Sequence, residues 1–301
     1  MRDQLAIILS LSGLMGCAPI TDDPWDEGFD PKLLVADVTA GQVVEVQPFS
    51  GGRRVLLDAV DVPQELAPDG LQPAGMAWQP DALLLTDMSS GRVLAFDPDD
   101  GLPLGLVFDP GPDANLEEPC ALARVDGALA VLGNDTRNVL LLHDDGWVDE
   151  LGGSSPPEIR DGHALLALPE DRLLVATSPG IADVGLLQLW SPRDGRRLQT
   201  WQLPGGALSD ATGLALGPDG LVYEVDWSGA QLLRVDPADG AVVDQVLGPQ
   251  DLTDPVALAF DPSGRLWILE RRGLVTWSPS TGAERVLDDA FDFGRGLLVV
   301  P

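Results

Sequence analysis

The chain has 301 residues, of which 48 are acidic and 18 are basic, and its formal net charge at pH 7 is −30. A surface this acidic repels the phosphate backbone of nucleic acids and the headgroups of anionic lipids, so the composition excludes nucleic-acid binding and charge-driven attachment to a membrane. Basic proteins, small cationic ligands and divalent cations such as calcium remain compatible with it.

The first 17 residues differ in kind from the rest. Arg2 is followed by an apolar stretch from Leu5 to Met15, which is too short to span a bilayer but suits the core of a signal peptide. The stretch runs into Leu14-Met-Gly-Cys17, which resembles the lipobox of bacterial lipoproteins. The resemblance implies that residues 1–16 are a lipoprotein signal peptide and that the sulfur of Cys17 is lipidated. An ordinary apolar leader with an incidental cysteine is the alternative.

Residues 17–31 are acidic and interrupted by prolines, which predicts a flexible tether. An export signal, an anchor and a spacer together predict a protein of the bacterial cell envelope. The lipoprotein resemblance implies the outer membrane, because Ala18 stands where some inner-membrane lipoproteins carry aspartate. We expect a monomer that contacts the membrane only through its N-terminal lipid.

A motif of about 44 residues recurs from residue 32 to residue 301. Its clearest copy, residues 211–240, contains a small residue and three short apolar runs, separated by turns of the Pro-Asp-Gly and Asp-Pro-x-x-Gly type. Short strands and tight turns at this spacing are typical of a β-propeller. We therefore predict an all-β, six-bladed propeller over residues 32–301, with five blades and a frayed end, or seven blades, as the alternatives.

Each copy of the motif has a small residue at the same place in its first apolar run. The innermost strands of a propeller converge on a central channel, where large side chains would collide, so these residues predict a collar around the channel. The collar residues are Gly75, Cys120, Ala164, Gly213, Ala257 and Gly296. Because Cys17 is assigned to lipid, Cys120 has no disulfide partner, and we interpret it as a small apolar filler rather than a reactive thiol.

The two ends of the repeat region are complementary fragments. Residues 294–301 form a first run with nothing after it, whereas residues 33–46 form a second and a third run with no first run before them. We therefore predict that the C-terminal strand pairs beside the N-terminal strands. This pairing closes the ring and leaves no open sheet edge.

One face of the predicted ring collects most of the acidic residues that end second strands or lie in the links between blades. Any ligand or partner is expected on this face, where Trp227 sits in a turn and could either stack on a ligand or pack into the blade. The predicted binding face consists of Asp37, Asp87, Glu118, Asp161, Asp210, Asp226, Trp227, Glu270 and Arg295.

Few residues suggest catalysis. His163 precedes a collar residue and should face the channel mouth, which makes it the candidate general base, and Glu118, Asp210 and His163 are the candidate metal ligands. His143 lies beside Asp144 and is expected in a surface turn. The Asp-Pro-x-x-Gly segments at 97–101 and 236–240 lack the ligand series of a calcium loop and predict hairpin turns.

The repeat resembles NHL-type propellers and the six-bladed gluconolactonase and senescence-marker family. The likeness is carried by Gly-Leu-Ala-Leu-Gly-Pro-Asp-Gly-Leu-Val-Tyr-Glu-Val-Asp at 213–226 and by Val-Ala-Leu-Ala-Phe-Asp-Pro-Ser-Gly-Arg-Leu-Trp at 256–267. It implies a divalent metal held by Glu, Asn and Asp residues just before each collar residue. At those positions this chain has Ala74, Pro119, His163, Thr212, Val256 and Arg295.

These observations predict a lipid-anchored propeller of the cell envelope that binds an envelope protein or a small cationic ligand through its acidic face without catalysis. The alternative is a metal-dependent lactonase or hydrolase with a rearranged site. A component of an envelope complex whose propeller only presents loops is a third possibility.

Overall fold

Six four-stranded antiparallel sheets make up the protein. The computed structural model describes residues 30–111, 116–125, 127–153, 158–177, 185–202 and 210–300, so the predicted signal peptide, Cys17 and nearly all of the tether lie outside the described residues. Within the described residues the only helical elements are two short 3-10 turns, Ala59–Asp61 and Pro192–Asp194, and no helix is long and apolar enough to cross a membrane. The prediction of an all-β, six-bladed propeller is confirmed.

Each blade runs from an inner strand to an outer strand. Blade 1 combines β24 (Gly294–Val299) with β1 (Leu33–Asp37), β2 (Gln42–Gln47) and β3 (Gly52–Asp58). Blade 2 contains β4 (Pro73–Gln79), β5 (Ala82–Asp87), β6 (Arg92–Phe96) and β7 (Pro103–Phe108). Blade 3 contains β8 (Pro119–Val125), β9 (Ala128–Gly133), β10 (Asn138–His143) and β11 (Val148–Leu151).

The remaining three blades repeat the same order. Blade 4 contains β12 (Gly162–Leu168), β13 (Arg172–Thr177), β14 (Leu186–Ser191) and β15 (Arg196–Gln202). Blade 5 contains β16 (Ala211–Leu216), β17 (Val222–Asp226), β18 (Gln231–Val235) and β19 (Val242–Leu247). Blade 6 contains β20 (Pro255–Phe260), β21 (Leu266–Glu270), β22 (Leu274–Ser278) and β23 (Gly282–Leu287).

The ring is closed by the pairing of the C-terminal strand with the N-terminal strand. β24 lies antiparallel to β1, with Val299 opposite Leu33 and Gly296 opposite Ala36. The closure extends past the ladder because the backbone N–H of Val300 donates to the carbonyl of Lys32 at 2.9 Å. The predicted closure, with one blade built from both ends of the repeat region, is confirmed.

The core consists of apolar layers between neighbouring blades. Side chains alternate across each strand, so a strand buried on both faces contributes to two layers. In β17, Val222 packs among side chains of blade 4, whereas Tyr223 and Val225 pack among those of blade 6. This two-sided burial explains why the inner, second and third strands appear in the sequence as nearly continuous apolar runs.

The predicted collar surrounds a narrow central channel, and close approach of neighbouring backbones requires its small residues. A Cβ atom added to Gly296 would lie 2.0 Å from the carbonyl oxygen of Ala74, and one added to Gly75 would lie 2.8 Å from the Cα of Ala121. Both distances are far inside van der Waals contact. Any larger residue at these glycines would force adjacent inner strands apart.

The three apolar runs of each repeat do not predict the fourth, outer strand of each blade. The side chains of these strands are largely exposed, as in β15, where Trp201 is buried and its neighbours are exposed. An outer strand pairs with its blade along one edge only, and most of its side chains are exposed, so its sequence contains no continuous apolar run. All six outer strands are present in the structure.

Glu224 interrupts the apolar pattern in the middle of β17. It is fully buried, and its cross-strand partners are Leu214 and Leu233, which belong to the apolar layer between blades 4 and 5. Neither carboxylate oxygen has a hydrogen-bond partner. The equivalent positions of the other five blades are fully buried and apolar, namely Val35, Leu85, Val131, Val175 and Ile268.

Burial, together with the nearby carboxylate of Asp226, raises the pKa of Glu224 well above its usual value of 4.5. At a pH between 4.5 and the folded-state pKa, the folded protein therefore keeps a proton on Glu224 that the unfolded chain has already lost. Stability from this group is complete below pH 4.5 and decreases as the pH rises toward the folded-state pKa.

We predict that Glu224→Leu raises the free energy of unfolding at pH 7 by about 1–3 kcal/mol, because an unpaired buried carboxyl is replaced by an apolar side chain. Chemical denaturation measured from pH 4 to pH 8 would show this gain increasing with pH. Glu224→Gln is the matched control, since it remains polar but removes the titration, and its gain should be smaller. If both variants were less stable than the parent, the Glu224 carboxyl would have a stabilising partner, which would contradict its description as unpaired.

Candidate functional site at the channel mouth

The central channel holds a small cavity of about 100 Å³, lined by residues from the inner strands of all six blades. Its walls include all six predicted collar residues. Three polar side chains that directly precede collar residues, those of His163, Thr212 and Arg295, also line it, near the start of their inner strands. We call the face at which the inner strands start the mouth face; it carries the links between blades and the turns between second and third strands.

The structure shifts the alignment of blade 3 by one residue. Pro119 pairs with Gly133, as Gly162 pairs with Thr177 in blade 4, and a β-bulge follows in both strands. Ala121 is therefore the true collar residue of blade 3, and Cys120 replaces Pro119 at the position before it. Of the residues before the collar, Cys120, His163, Thr212 and Arg295 line the channel cavity, whereas blades 2 and 6 have the apolar residues Ala74 and Val256 at this position.

Two of these side chains connect neighbouring blades. The hydroxyl of Thr212 donates to the carbonyl of Pro255 at 3.0 Å, and the thiol of Cys120 lies 3.4 Å from the carbonyl of Gly162. Burial raises the pKa of the Cys120 thiol to about 11 although the Arg295 guanidinium favours the thiolate. At neutral pH Cys120 is therefore a protonated thiol, consistent with its predicted role as a filler.

His163 is the titratable base in the channel wall. Its Nδ1 atom is buried and has no hydrogen-bond partner. Burial lowers the pKa of His163 below 6.5, and the positive charge of Arg295 lowers it further, while Asp210 and Asp161 oppose the shift. The imidazole is thus neutral at pH 7 and presents an unoccupied ring nitrogen close to a guanidinium.

Acidic residues, of which Glu118 is exposed and Asp161 and Asp210 are half-buried, form part of the rim around the mouth. Glu118 and Asp161 stand immediately before their inner strands, and both adopt left-handed backbone conformations, with φ of 48° and 44°. Trp227 is 39% exposed, and its backbone N–H donates to the carbonyl of Asp210 at 3.0 Å, which places the two residues side by side where the inner strand of blade 5 begins. We call Glu118, Asp161, Asp210 and Trp227 the rim.

The four carboxylates that end second strands lie on the mouth face but beneath its surface. Asp37 accepts from the backbone N–H groups of Asp292 and Phe293 at 2.7 and 3.0 Å, and Asp87 accepts from that of Gln72 at 2.8 Å. Asp37 and Asp87 thus each tie a second strand to the link that leads into its own blade. The four buried members are Asp37, Asp87, Asp226 and Glu270.

The sequence did not distinguish these buried carboxylates from the exposed ones. Asp226 accepts from the hydroxyl of Ser228 at 2.9 Å and from the N–H of Gly229 at 3.1 Å, so its acceptor capacity is used within its own turn. Such side chains stabilise the blade rather than face a ligand. The following Ser and Gly residues are the signal that could have identified the cap.

The candidate metal ligands do not converge. Among the residues that the structure describes, no group of three or more His, Cys, Asp or Glu side chains lies close enough to hold a metal ion. Glu118, Asp210 and His163 therefore share the mouth region without forming a shell. The segments at 97–101 and 236–240 are hairpin turns, as predicted, in which Asp97 and Asp236 accept from the backbone N–H two residues later at 2.8 Å.

His143, the second histidine, is far from this chemistry. It ends β10, and its Nε2 atom lies 3.1 Å from a carboxylate oxygen of Asp149 in the outer strand of the same blade. It belongs to the face opposite the mouth.

No protein-family model matches the sequence, and neither does any curated protein sequence. Solved structures with a similar fold include virginiamycin B lyase from Staphylococcus aureus, at 16% identity over 71% of this chain and 69% of that chain, with a TM-score of 0.56. A catalytically inactive histidine-to-alanine variant of that lyase with quinupristin gives 13% identity, 85% and 84% coverage, and a TM-score of 0.62.

A nidogen/laminin complex is also similar, at 14% identity over 90% of this chain and 98% of that chain, with a TM-score of 0.70. The solved structures with this architecture therefore include both a lyase and a protein–protein complex. Identities this low show the fold alone, and function has to be argued from the site.

We predict that Arg295→Gln raises the pKa of His163, because it removes a positive charge that disfavours the imidazolium. Proton NMR titration would measure this shift in a His143→Gln background, where His163 gives the one remaining histidine signal. Arg193→Gln is the control, since Arg193 lies in the turn between β14 and β15 on the opposite face. An equal shift in both variants would show that only the overall charge matters.

Proposed function

We propose that the protein is a non-catalytic binding module of the bacterial cell envelope, held by a lipid on Cys17, whose mouth face contacts a basic envelope protein. The anchor rests on the sequence of residues 1–17 alone, and the propeller positions the rim for a partner. The gluconolactonase-like metal chemistry of the alternative is less well supported, because the described side chains do not gather into a metal shell.

One observation carries the proposal. The cavity that the described residues enclose in the channel measures about 100 Å³, whereas pockets for drug-sized molecules measure about 300–1,000 Å³. The channel wall is also occupied by Arg295 and by side chains that already bond to neighbouring blades. A partner is therefore expected on the rim surface rather than a substrate inside the channel.

The rim has the chemistry of a contact site for cationic groups. Glu118 is exposed, and the amide nitrogen of Asn134 lies 3.5 Å from its carboxylate, a long contact that leaves the charge available to a partner. Trp227 supplies an aromatic surface on which an arginine or lysine side chain can stack. Attraction between a chain of net charge −30 and a basic partner would also accelerate their encounter at low salt.

We predict that chemical cross-linking of the full chain in intact cells captures a basic envelope protein, and that Trp227→Ala or Glu118→Lys lowers the yield at least fivefold, roughly 1 kcal/mol or more of binding energy. Quantitative mass spectrometry of the purified adducts measures the yield. The matched controls are Trp147→Ala and Asp81→Lys, which change an exposed tryptophan and an exposed acid on the opposite face.

Equal capture by the parent and the rim variants would contradict a binding role for the rim. Capture of the same proteins by a Cys17→Ala chain that is no longer lipidated would show that the anchor is dispensable for the interaction. A partner lost only in the opposite-face controls would reassign the interface to that face.

A second candidate is a hydrolase or lyase in which His163 acts as general base. The supporting observation is the neutral imidazole with an unpartnered Nδ1 beside Arg295, which could stabilise a developing negative charge. Incubation with quinupristin followed by mass spectrometry tests this: ring opening by elimination leaves the mass unchanged, and hydrolysis adds one water. Turnover by the parent that is lost in His163→Ala would establish catalysis.

A further inference from the structure

A second pocket lies on the mouth face of blade 6, away from the channel. It has a volume of about 360 Å³ and is formed by the link before β20, the turn between β21 and β22, and the link between β23 and β24. Three of the 18 basic residues of this acidic chain line it, namely Arg271, Arg272 and Arg285. None of the three was predicted from the sequence as a site residue.

Arg285 is committed to the fold. Its two terminal nitrogens engage both carboxylate oxygens of Glu270, with Nη2 at 3.0 Å from Oε1. The same Oε1 atom accepts from the backbone N–H of Thr253 at 2.6 Å. Glu270 is buried, so this bidentate pair is a fixed part of the pocket wall. The two charges compensate each other, and neither is available to a ligand.

Arg272 is held more loosely. Its Nε atom lies 2.7 Å from a carboxylate oxygen of Asp289, but both side chains are well exposed, at 60% and 73%. Exposed pairs of this kind contribute little to stability. Arg272 can therefore turn toward a ligand at small cost.

Arg271 is the available cation of the pocket. Its guanidinium carbon lies 4.3 Å from the centre of the Phe293 ring, and it makes no ion pair with any residue in the described part of the chain. Its backbone is fixed at both ends, since its N–H donates to the carbonyl of Asp254 at 3.0 Å and its carbonyl accepts from Gly294 at 2.8 Å. Stacking occupies the face of the guanidinium and leaves the N–H donors on its edge for a ligand.

We propose that this pocket binds a small molecule through a carboxylate group, which receives paired hydrogen bonds from Arg271 and added positive charge from Arg272. The volume lies in the range of small-molecule sites, and the guanidinium fork matches the two oxygens of a carboxylate. Asp254 and Asp288 also line the pocket. Their negative charges repel a phosphate group, which can carry two charges, more strongly than a carboxylate group, which carries one. This repulsion favours a carboxylate over a phosphate. This site is independent of the partner proposed for the rim.

The test is isothermal titration of the purified full chain with succinate, and separately with inorganic phosphate, at fixed ionic strength. We expect saturable succinate binding in the millimolar range that is tighter than phosphate binding. Arg271→Gln should weaken succinate binding about tenfold, as the loss of charge-assisted hydrogen bonds implies. The matched control is Arg53→Gln, which removes another guanidinium that stacks on an aromatic ring, that of Phe291, but outside the pocket.

Asp254→Asn sharpens the test because it should change affinity in the opposite direction. Asp254 has a left-handed backbone with φ of 51°, which asparagine tolerates, so the variant removes a repelling charge with little effect on the fold. Succinate should bind this variant more tightly. Melting curves verify that each variant folds. If Arg271→Gln does not fold, Arg272→Gln serves as the variant that removes a positive charge from the pocket.

Absence of saturable succinate binding would overturn the proposal, as would tighter binding of phosphate. Equal weakening by Arg53→Gln would show that overall charge, and not the pocket, attracts the anion. Weaker succinate binding by Asp254→Asn would overturn carboxylate recognition at this site. None of these outcomes affects cross-linking at the rim, so the two proposals can fail separately.

Discussion

The structure depends on the pairing of β24 with β1, two strands that lie at opposite ends of the repeat region. Without it, blade 1 would lack its inner strand and blades 1 and 6 would expose their apolar faces. The buried carboxylate of Asp37 reinforces the pairing, because it binds two backbone N–H groups just before β24. The segment that closes the ring also brings Arg295 to the channel and Phe293 against Arg271 of the second pocket, so both candidate sites depend on closure.

Much of the fold could be predicted because the repeat imposes the same physical demands six times. Collar positions need small residues, since the inner strands approach within backbone contact, and Gly75 and Gly296 satisfy this demand. Strands that are buried on both faces give continuous apolar runs, and turns of the Asp-Pro-x-x-Gly type end them at regular intervals. The outer strands were not predicted, because only one edge of each pairs with its blade and their exposed side chains form no apolar run.

The candidate sites were less accessible from the sequence for three physical reasons. Cys120 and Ala121 are both small, so residue size does not fix the alignment of blade 3, and the strand pairing brings Cys120 rather than Pro119 to the channel. Acidity alone does not distinguish a surface carboxylate from one that caps a turn, as Asp226 does. The pocket around Arg271 is formed by three separate segments of the chain between residues 253 and 289, and only the folded blade brings them together.

If β24 and β1 hold the molecule together, ring closure is part of the global fold and not a loose contact between two ends. Native-state hydrogen exchange of the backbone amides in β1 and β24 distinguishes these two cases. We predict that these amides exchange only through global unfolding, with the same opening free energy as the amides of the fully buried strand β9. Faster exchange of β1 and β24 through a separate local opening would contradict this claim.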